Sequence, residues 1–83
     1  GVRCRIVRFE SVEQLQSRCP VIVPVKYRFM TDHFVTVLQV DEDVVVADPL
    51  KGLVRYSKDD FGGIWRHVGI VVHSREATDL KTP

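Results

Sequence analysis

The sequence predicts an α+β fold, in which a short N-terminal helix is followed by an antiparallel sheet of about five strands. Most of the chain consists of short segments that are rich in β-branched residues and separated by turn residues, which is typical of strands. Helix signals that extend over about two turns occur near the N-terminus. The 83 residues, of which 45% are hydrophobic and 28% charged, suit one small globular unit rather than a disordered tail.

The N-terminal part of the chain predicts one strand and one helix. Residues 2–9 are rich in β-branched residues and form the first predicted strand. Ser11 and, three residues later, Gln14 match a capping box, so a helix is expected to begin there. Pro20 prevents the helix from continuing, because proline has no backbone N–H and clashes with the preceding turn.

The rest of the chain predicts a meander of strands. The acidic turn at 41–43 is the strongest hairpin signal, and a second turn follows at 48–52. One capped helical turn is expected near Ser57, before two glycines. Residues 74–83 have little to bury and are expected to form a loose tail, so the predicted domain covers residues 1–73. The strands predicted after the helix are 21–25, 33–40, 44–48, 53–56 and 64–73.

Composition and motifs exclude several classes of function. Twelve Lys and Arg residues against eleven Asp and Glu residues give a net charge of +1, which argues against nucleic acid as the main partner. The longest apolar runs are far shorter than the roughly 20 residues of a membrane-spanning helix. The sequence contains no zinc, nucleotide-binding or α/β-hydrolase motif, and we therefore expect neither a metal nor a cofactor.

One pair of residues, His33 and Asp48, suits catalytic chemistry. His33 opens one arm of the predicted hairpin and Asp48 closes the other, so both lie at its open end. A carboxylate that accepts a hydrogen bond from one imidazole nitrogen fixes the tautomer and leaves the other nitrogen free to activate a nucleophile. The same spacing also fits a surface histidine and an ordinary Asp-Pro turn.

The register of the hairpin decides whether these two side chains meet. A turn centred between Asp41 and Glu42 places Asp48 diagonal to His33 on the same face of the sheet, within reach of a hydrogen bond. A turn centred on Glu42 places Asp48 opposite Thr36, on the other face, and separates the pair.

Four linked motifs resemble the second, sheet-forming half of papain-like peptidase domains: PVIVP at 20–24, HFVTVLQV at 33–40, DPLKG at 48–52, and Phe61 followed by Trp65. The resemblance extends from about residue 2 to residue 73. The most similar family is that of the bacteriocin-processing cysteine peptidases, which occur at the N-termini of peptide-exporting ABC transporters and as stand-alone relatives.

The resemblance implies roles for specific residues. His33 corresponds to the catalytic histidine of that family, and Asp48 to the acidic residue that orients it. Such enzymes cleave peptide leaders, typically after two small residues, through an acyl-enzyme intermediate. The nucleophilic cysteine and the oxyanion-hole glutamine belong to the first, helical half of the family's domain, and neither Cys4 nor Cys19 matches that position.

Three hypotheses follow for the function. In the first, the chain is part of a cysteine peptidase whose cysteine and glutamine come from a companion chain or an N-terminal segment. The start at Gly1, with Met30 as the only methionine, supports the expectation of an incomplete domain. In the second, the sheet and the loop at 27–30 bind peptides without cleaving them. In the third, the edge strands serve assembly with a partner.

Overall fold

The computed structural model describes residues 2–28 and 31–74. Apart from Ser74, which ends the last strand, the predicted loose tail at 74–83 lies outside the described residues. Phe29 and Met30, which belong to the predicted peptide-binding loop, also lie outside them.

The described residues form a sheet with short helices, which is compatible with the predicted α+β class. The helices are a 3-10 helix (Val12–Arg18) and α1 (Lys58–Ile64). Each has only seven residues, and no helix in the described ranges is long and apolar enough to cross a membrane. The strands are β1 (Val2–Arg8), β2 (Val21–Arg28), β3 (Thr31–Val40), β4 (Asp43–Asp48), β5 (Gly52–Ser57) and β6 (Val68–Ser74).

The sheet has six strands in the order β1-β6-β2-β3-β4-β5, rather than the predicted five or so. The difference comes from β1, which precedes the helix and pairs with β6 along its whole length, from Val2 opposite Ser74 to Arg8 opposite Val68. This pairing is antiparallel, as are the other pairings of the sheet. The last strand begins at Val68 rather than residue 64, because α1 continues to Ile64.

The predicted N-terminal helix is a 3-10 helix, and its predicted capping box does not form. Ser11 is the N-cap residue, but its side chain makes no capping hydrogen bond. The backbone N–H of Gln14 donates to the carbonyl of Ser11 at 3.2 Å, and its side-chain oxygen accepts from the N–H of Glu10 at 2.8 Å. Short helices gain most of their stability from packing, and here buried Leu15 anchors the segment to the sheet.

One face of the sheet, the helix-covered face, holds the core. Alternate residues of each central strand point to this face, as the two-residue period of a strand requires. Leu15 and Phe61, both fully buried, bring the 3-10 helix and α1 against it. The sheet residues in the core are Val21, Val23, Val25, Val35, Val37, Val40, Val44, Val46 and Val71. The residues that alternate with these point to the opposite face of the sheet, where the side chains of Ile6, Phe34 and Leu53 are exposed.

Candidate catalytic site

The structure brings the two predicted site residues together. His33 lies near the start of β3 and Asp48 ends β4. The imidazole Nε2 is 2.9 Å from the carboxylate Oδ1 of Asp48. The two side chains are 15% and 4% exposed, respectively, so the pair lies at the edge of the core and not in bulk solvent.

A β-bulge makes this pairing possible. The turn is centred on Glu42, because Val40 lies opposite Val44, and a regular ladder from that turn would separate His33 from Asp48. The register shifts between Val37 and Gln39, however, so that β3 contains one extra residue, Leu38.

Beyond the bulge, Thr36 lies opposite Ala47. The same register places Asp48 opposite Val35, on the helix-covered face and diagonal to His33. The turn is therefore centred on Glu42, yet Asp48 and His33 lie on the same face, as expected for a turn centred between Asp41 and Glu42.

Asp48 also begins the turn that the sequence predicts. Its Oδ1 accepts from the backbone N–H of Leu50 at 2.7 Å and from that of Lys51 at 3.3 Å, in addition to His33. Burial alone raises the pKa of Asp48, but the hydrogen bonds from His33 and from the two N–H groups outweigh it and lower the pKa below its ordinary value. Asp48 is therefore held as a carboxylate, the form that accepts a hydrogen bond from an imidazole N–H.

This arrangement defines which nitrogen of His33 can act as a base. If Nε2 carries the proton and donates it to the Asp48 carboxylate, Nδ1 is the nitrogen with a free electron pair. The aromatic ring of Tyr27 packs against the imidazole, with ring centroids 5.1 Å apart. From the sequence, Tyr27 was expected in a peptide-binding loop, and its contact with His33 was not predicted.

Neither cysteine of the chain is placed to attack a substrate beside His33. Cys4 lies on β1, which is separated from β3 by two intervening strands, so a gap of about 14 Å is expected at ordinary strand spacing. Cys19 is partly buried, and its thiol donates to the carbonyl of Leu15 at 3.2 Å. Burial raises the pKa of Cys19 and so disfavours its nucleophilic thiolate.

No group of three or more potential metal ligands occurs among the residues that the structure describes. The groups that the structure brings together at the candidate site are the imidazole of His33 and the carboxylate of Asp48. A histidine oriented by a carboxylate serves as a general base, and it needs a nucleophile from elsewhere.

Two comparisons with known proteins are informative. The family model described as the peptidase C39 family matches residues 1–77. The solved peptidase domain of Streptococcus mutans ComA, in complex with a small-molecule inhibitor, is similar in structure, with a TM-score of 0.72 and 21% sequence identity. At this identity, the likeness shows the fold.

The match to the ComA peptidase domain covers 89% of this chain but only 65% of that one. The chain thus spans less than two thirds of the length of the solved domain that it matches. A comparison with curated proteins gave no match.

Proposed function

Because this chain belongs to the peptidase C39 family, as its resemblance to the bacteriocin-processing peptidases predicted, we propose that it is the histidine- and aspartate-bearing half of a cysteine peptidase. This enzyme cleaves peptides or leader sequences. His33 is its general base, and Asp48 orients the imidazole. The nucleophilic cysteine and the oxyanion-hole glutamine come from an N-terminal segment or a companion chain beyond these 83 residues.

The hydrogen bond between His33 and Asp48 is the single observation that supports this proposal most strongly. With Nε2 bound to the carboxylate, Nδ1 takes the proton of the cysteine thiol, and the thiolate attacks the scissile carbonyl carbon. The imidazolium, stabilised by the Asp48 carboxylate, then gives this proton to the leaving amine, and an acyl-enzyme remains. Water, deprotonated by the same Nδ1, hydrolyses the thioester and restores the thiol.

The positions of the two cysteines support a nucleophile from outside the chain. Cys4 is several strands away from His33, and Cys19 is held as a thiol by burial and by its bond to Leu15. Matching only 65% of the ComA peptidase domain leaves room for such a segment in a complete domain.

The direct test is a cleavage assay with the full encoded protein and a peptide that contains two consecutive small residues. We expect His33→Gln to lower kcat by about 10²-fold or more, because general base catalysis contributes typically 10²–10⁴-fold. Asp48→Asn is also expected to lower kcat. Asp32→Asn is the matched control, because Asp32 neighbours His33 on β3 but bonds to the exposed Arg66 instead.

A double substitution, Cys4→Ser with Cys19→Ser, tests the origin of the nucleophile. The proposal requires that cleavage by the full encoded protein persists in this variant. Loss of cleavage with retained folding would place the nucleophile within these 83 residues and contradict the proposal.

The alternative is a catalytically inactive peptide-binding or assembly module with the same fold. The placement of Cys4 and Cys19 away from His33 is the observation that favours it. Such a module binds the peptide with an affinity that is unchanged by His33→Gln, and the peptide is recovered intact.

A further inference from the structure

Strand β2 carries a bulge next to the candidate site. Lys26 lies opposite Asp32, whereas Arg28 lies opposite Thr31, so Tyr27 is one extra residue on β2. Val25 lies opposite His33, and Tyr27 is two residues further along β2. The two-residue period of a strand therefore places Tyr27 on the face that carries His33, diagonal to it and next to the bulge.

Tyr27 contacts the imidazole of His33 directly. The two ring centroids are 5.1 Å apart and the ring planes are inclined by 47°, a tilted arrangement that is favourable between aromatic rings. The guanidinium carbon of Arg28 lies over the Tyr27 ring, 5.1 Å from its centroid, which is a cation–π geometry. The three side chains therefore form a stack, in which Arg28 contacts Tyr27 and Tyr27 contacts His33.

The burial of Tyr27 shows that this contact is not part of the core. Tyr27 is 37% exposed, and it does not belong to the cluster of buried residues beneath the helices. Tyr27 therefore lies at the margin of the core, where its ring contacts the imidazole of His33 and the guanidinium of Arg28.

We propose that Tyr27 is a positioning residue for His33. The bond to Asp48 fixes Nε2, but one hydrogen bond leaves the imidazole free to rock about it. The Tyr27 ring restricts this motion, so that Nδ1 keeps one direction, and Arg28 restricts Tyr27 in turn. The catalytic consequence rests on the function proposed above, whereas the restraint on the imidazole does not.

The test is nitrogen NMR of the His33 imidazole in the full encoded protein, which reports the tautomer and the hydrogen bond at Nε2. Tyr27→Phe keeps the ring and is expected to retain the wild-type spectrum. Tyr27→Ala and Tyr27→Leu are expected to shift the Nε2 and Nδ1 signals towards the average of two tautomers. Arg28→Ala is expected to give a smaller shift in the same direction.

Phe34→Ala is the matched control. Phe34 follows His33 on β3 and is 53% exposed, but it points to the opposite face of the sheet. Its removal is therefore expected to leave the imidazole signals unchanged. The proposal is overturned if Tyr27→Ala and Tyr27→Leu give the wild-type imidazole spectrum, or if Phe34→Ala shifts it as much as they do.

Peptide cleavage by the same variants gives a second readout. Tyr27→Ala is expected to lower kcat about tenfold at unchanged KM, with rescue by Tyr27→Phe, because small misplacements of a catalytic group are costly. If the wild-type protein does not cleave peptides, the proposed function fails, and the NMR comparison still decides whether Tyr27 restrains His33. If the wild-type protein cleaves the peptide and the Tyr27 variants cleave it at the same rate, the positioning role fails while the proposed function stands.

Discussion

Replacement of Asp48 by alanine is expected to destabilise the domain by about 3 kcal/mol. The substitution removes Oδ1, which accepts from His33 at 2.9 Å and from the N–H of Leu50 at 2.7 Å, and more weakly from Lys51 at 3.3 Å. A hydrogen bond to a charged group contributes about 1.5–3 kcal/mol, so the two short bonds set the scale. Because Leu50 is exposed, water replaces part of the hydrogen bonding that its N–H loses, so the expected cost is near the lower end of the sum of the two bonds.

Urea unfolding at neutral pH measures this loss. A domain of this size has a free energy of unfolding of about 4–12 kcal/mol, so a change of about 3 kcal/mol is readily resolved. A double-mutant cycle that combines Asp48→Ala with His33→Ala isolates the bond between the two side chains. We expect a coupling energy of about 1–2 kcal/mol.

The control is Asp32→Ala, which breaks the ion pair between Asp32 and Arg66. The side chains of that pair are 42% and 45% exposed, and exposed pairs contribute about 0–1 kcal/mol. A cost below about 1 kcal/mol for Asp48→Ala, or a coupling energy within error of zero, would refute the bond between His33 and Asp48 as a stable feature in solution.

Three further predictions follow from the structure. Because the pKa of folded Asp48 lies below its ordinary value, its ionised form adds stability above about pH 4 that is lost as the pH falls through the lowered pKa. The difference in urea midpoint between wild type and Asp48→Asn should therefore shrink in acid, and a constant difference would contradict this. Gly69→Ala places a Cβ 2.9 Å from the buried ring of Phe9 and should cost about 1–3 kcal/mol in urea unfolding, whereas a neutral effect would refute this close packing. Deletion of Leu38 removes the extra residue of the bulge and leaves a regular ladder between β3 and β4. NMR should therefore show that the hydrogen bond between His33 and Asp48 is retained, and its loss would refute the observed register.

The sequence indicated that His33 and Asp48 can meet, but it did not predict the geometry that brings them together. The spacing of His33 and Asp48 around an acidic turn indicated the pair, and the structure brings it within hydrogen-bonding distance. The bulge at Leu38 was not predicted, because one extra residue in a run of apolar residues leaves no mark in composition. In the structure the bulge is visible in the burial pattern, because two consecutive residues, Leu38 and Gln39, are exposed between buried Val37 and Val40.

Two features of the fold depend on contacts that a local pattern does not contain. The pairing of β1 with β6 joins the two ends of the described chain, and nothing near either segment specifies this partner. The helix at Val12–Arg18 has an N-cap residue of the expected type, but Ser11 makes no side-chain cap, and the segment adopts the tighter 3-10 form. Packing of Leu15 against the sheet outweighs local propensity in a helix of this length.

The contact between Tyr27 and His33 was missed for a related reason. The sequence placed Tyr27 in a loop after β2, whereas the structure places it at a bulge within β2. An aromatic residue at the end of a predicted strand is compatible with either position, and only the register with β3 distinguishes them.

The most direct test of the proposed function is the rate at which iodoacetamide alkylates the cysteines of the full encoded protein. Intact mass spectrometry measures this rate. The proposal predicts one rapidly alkylated cysteine outside these 83 residues, whose rate falls about tenfold or more in His33→Gln because the imidazole no longer promotes thiolate formation. Slow labelling confined to Cys4 and Cys19, at rates that do not depend on His33, would contradict the assignment of His33 and Asp48 to a cysteine peptidase.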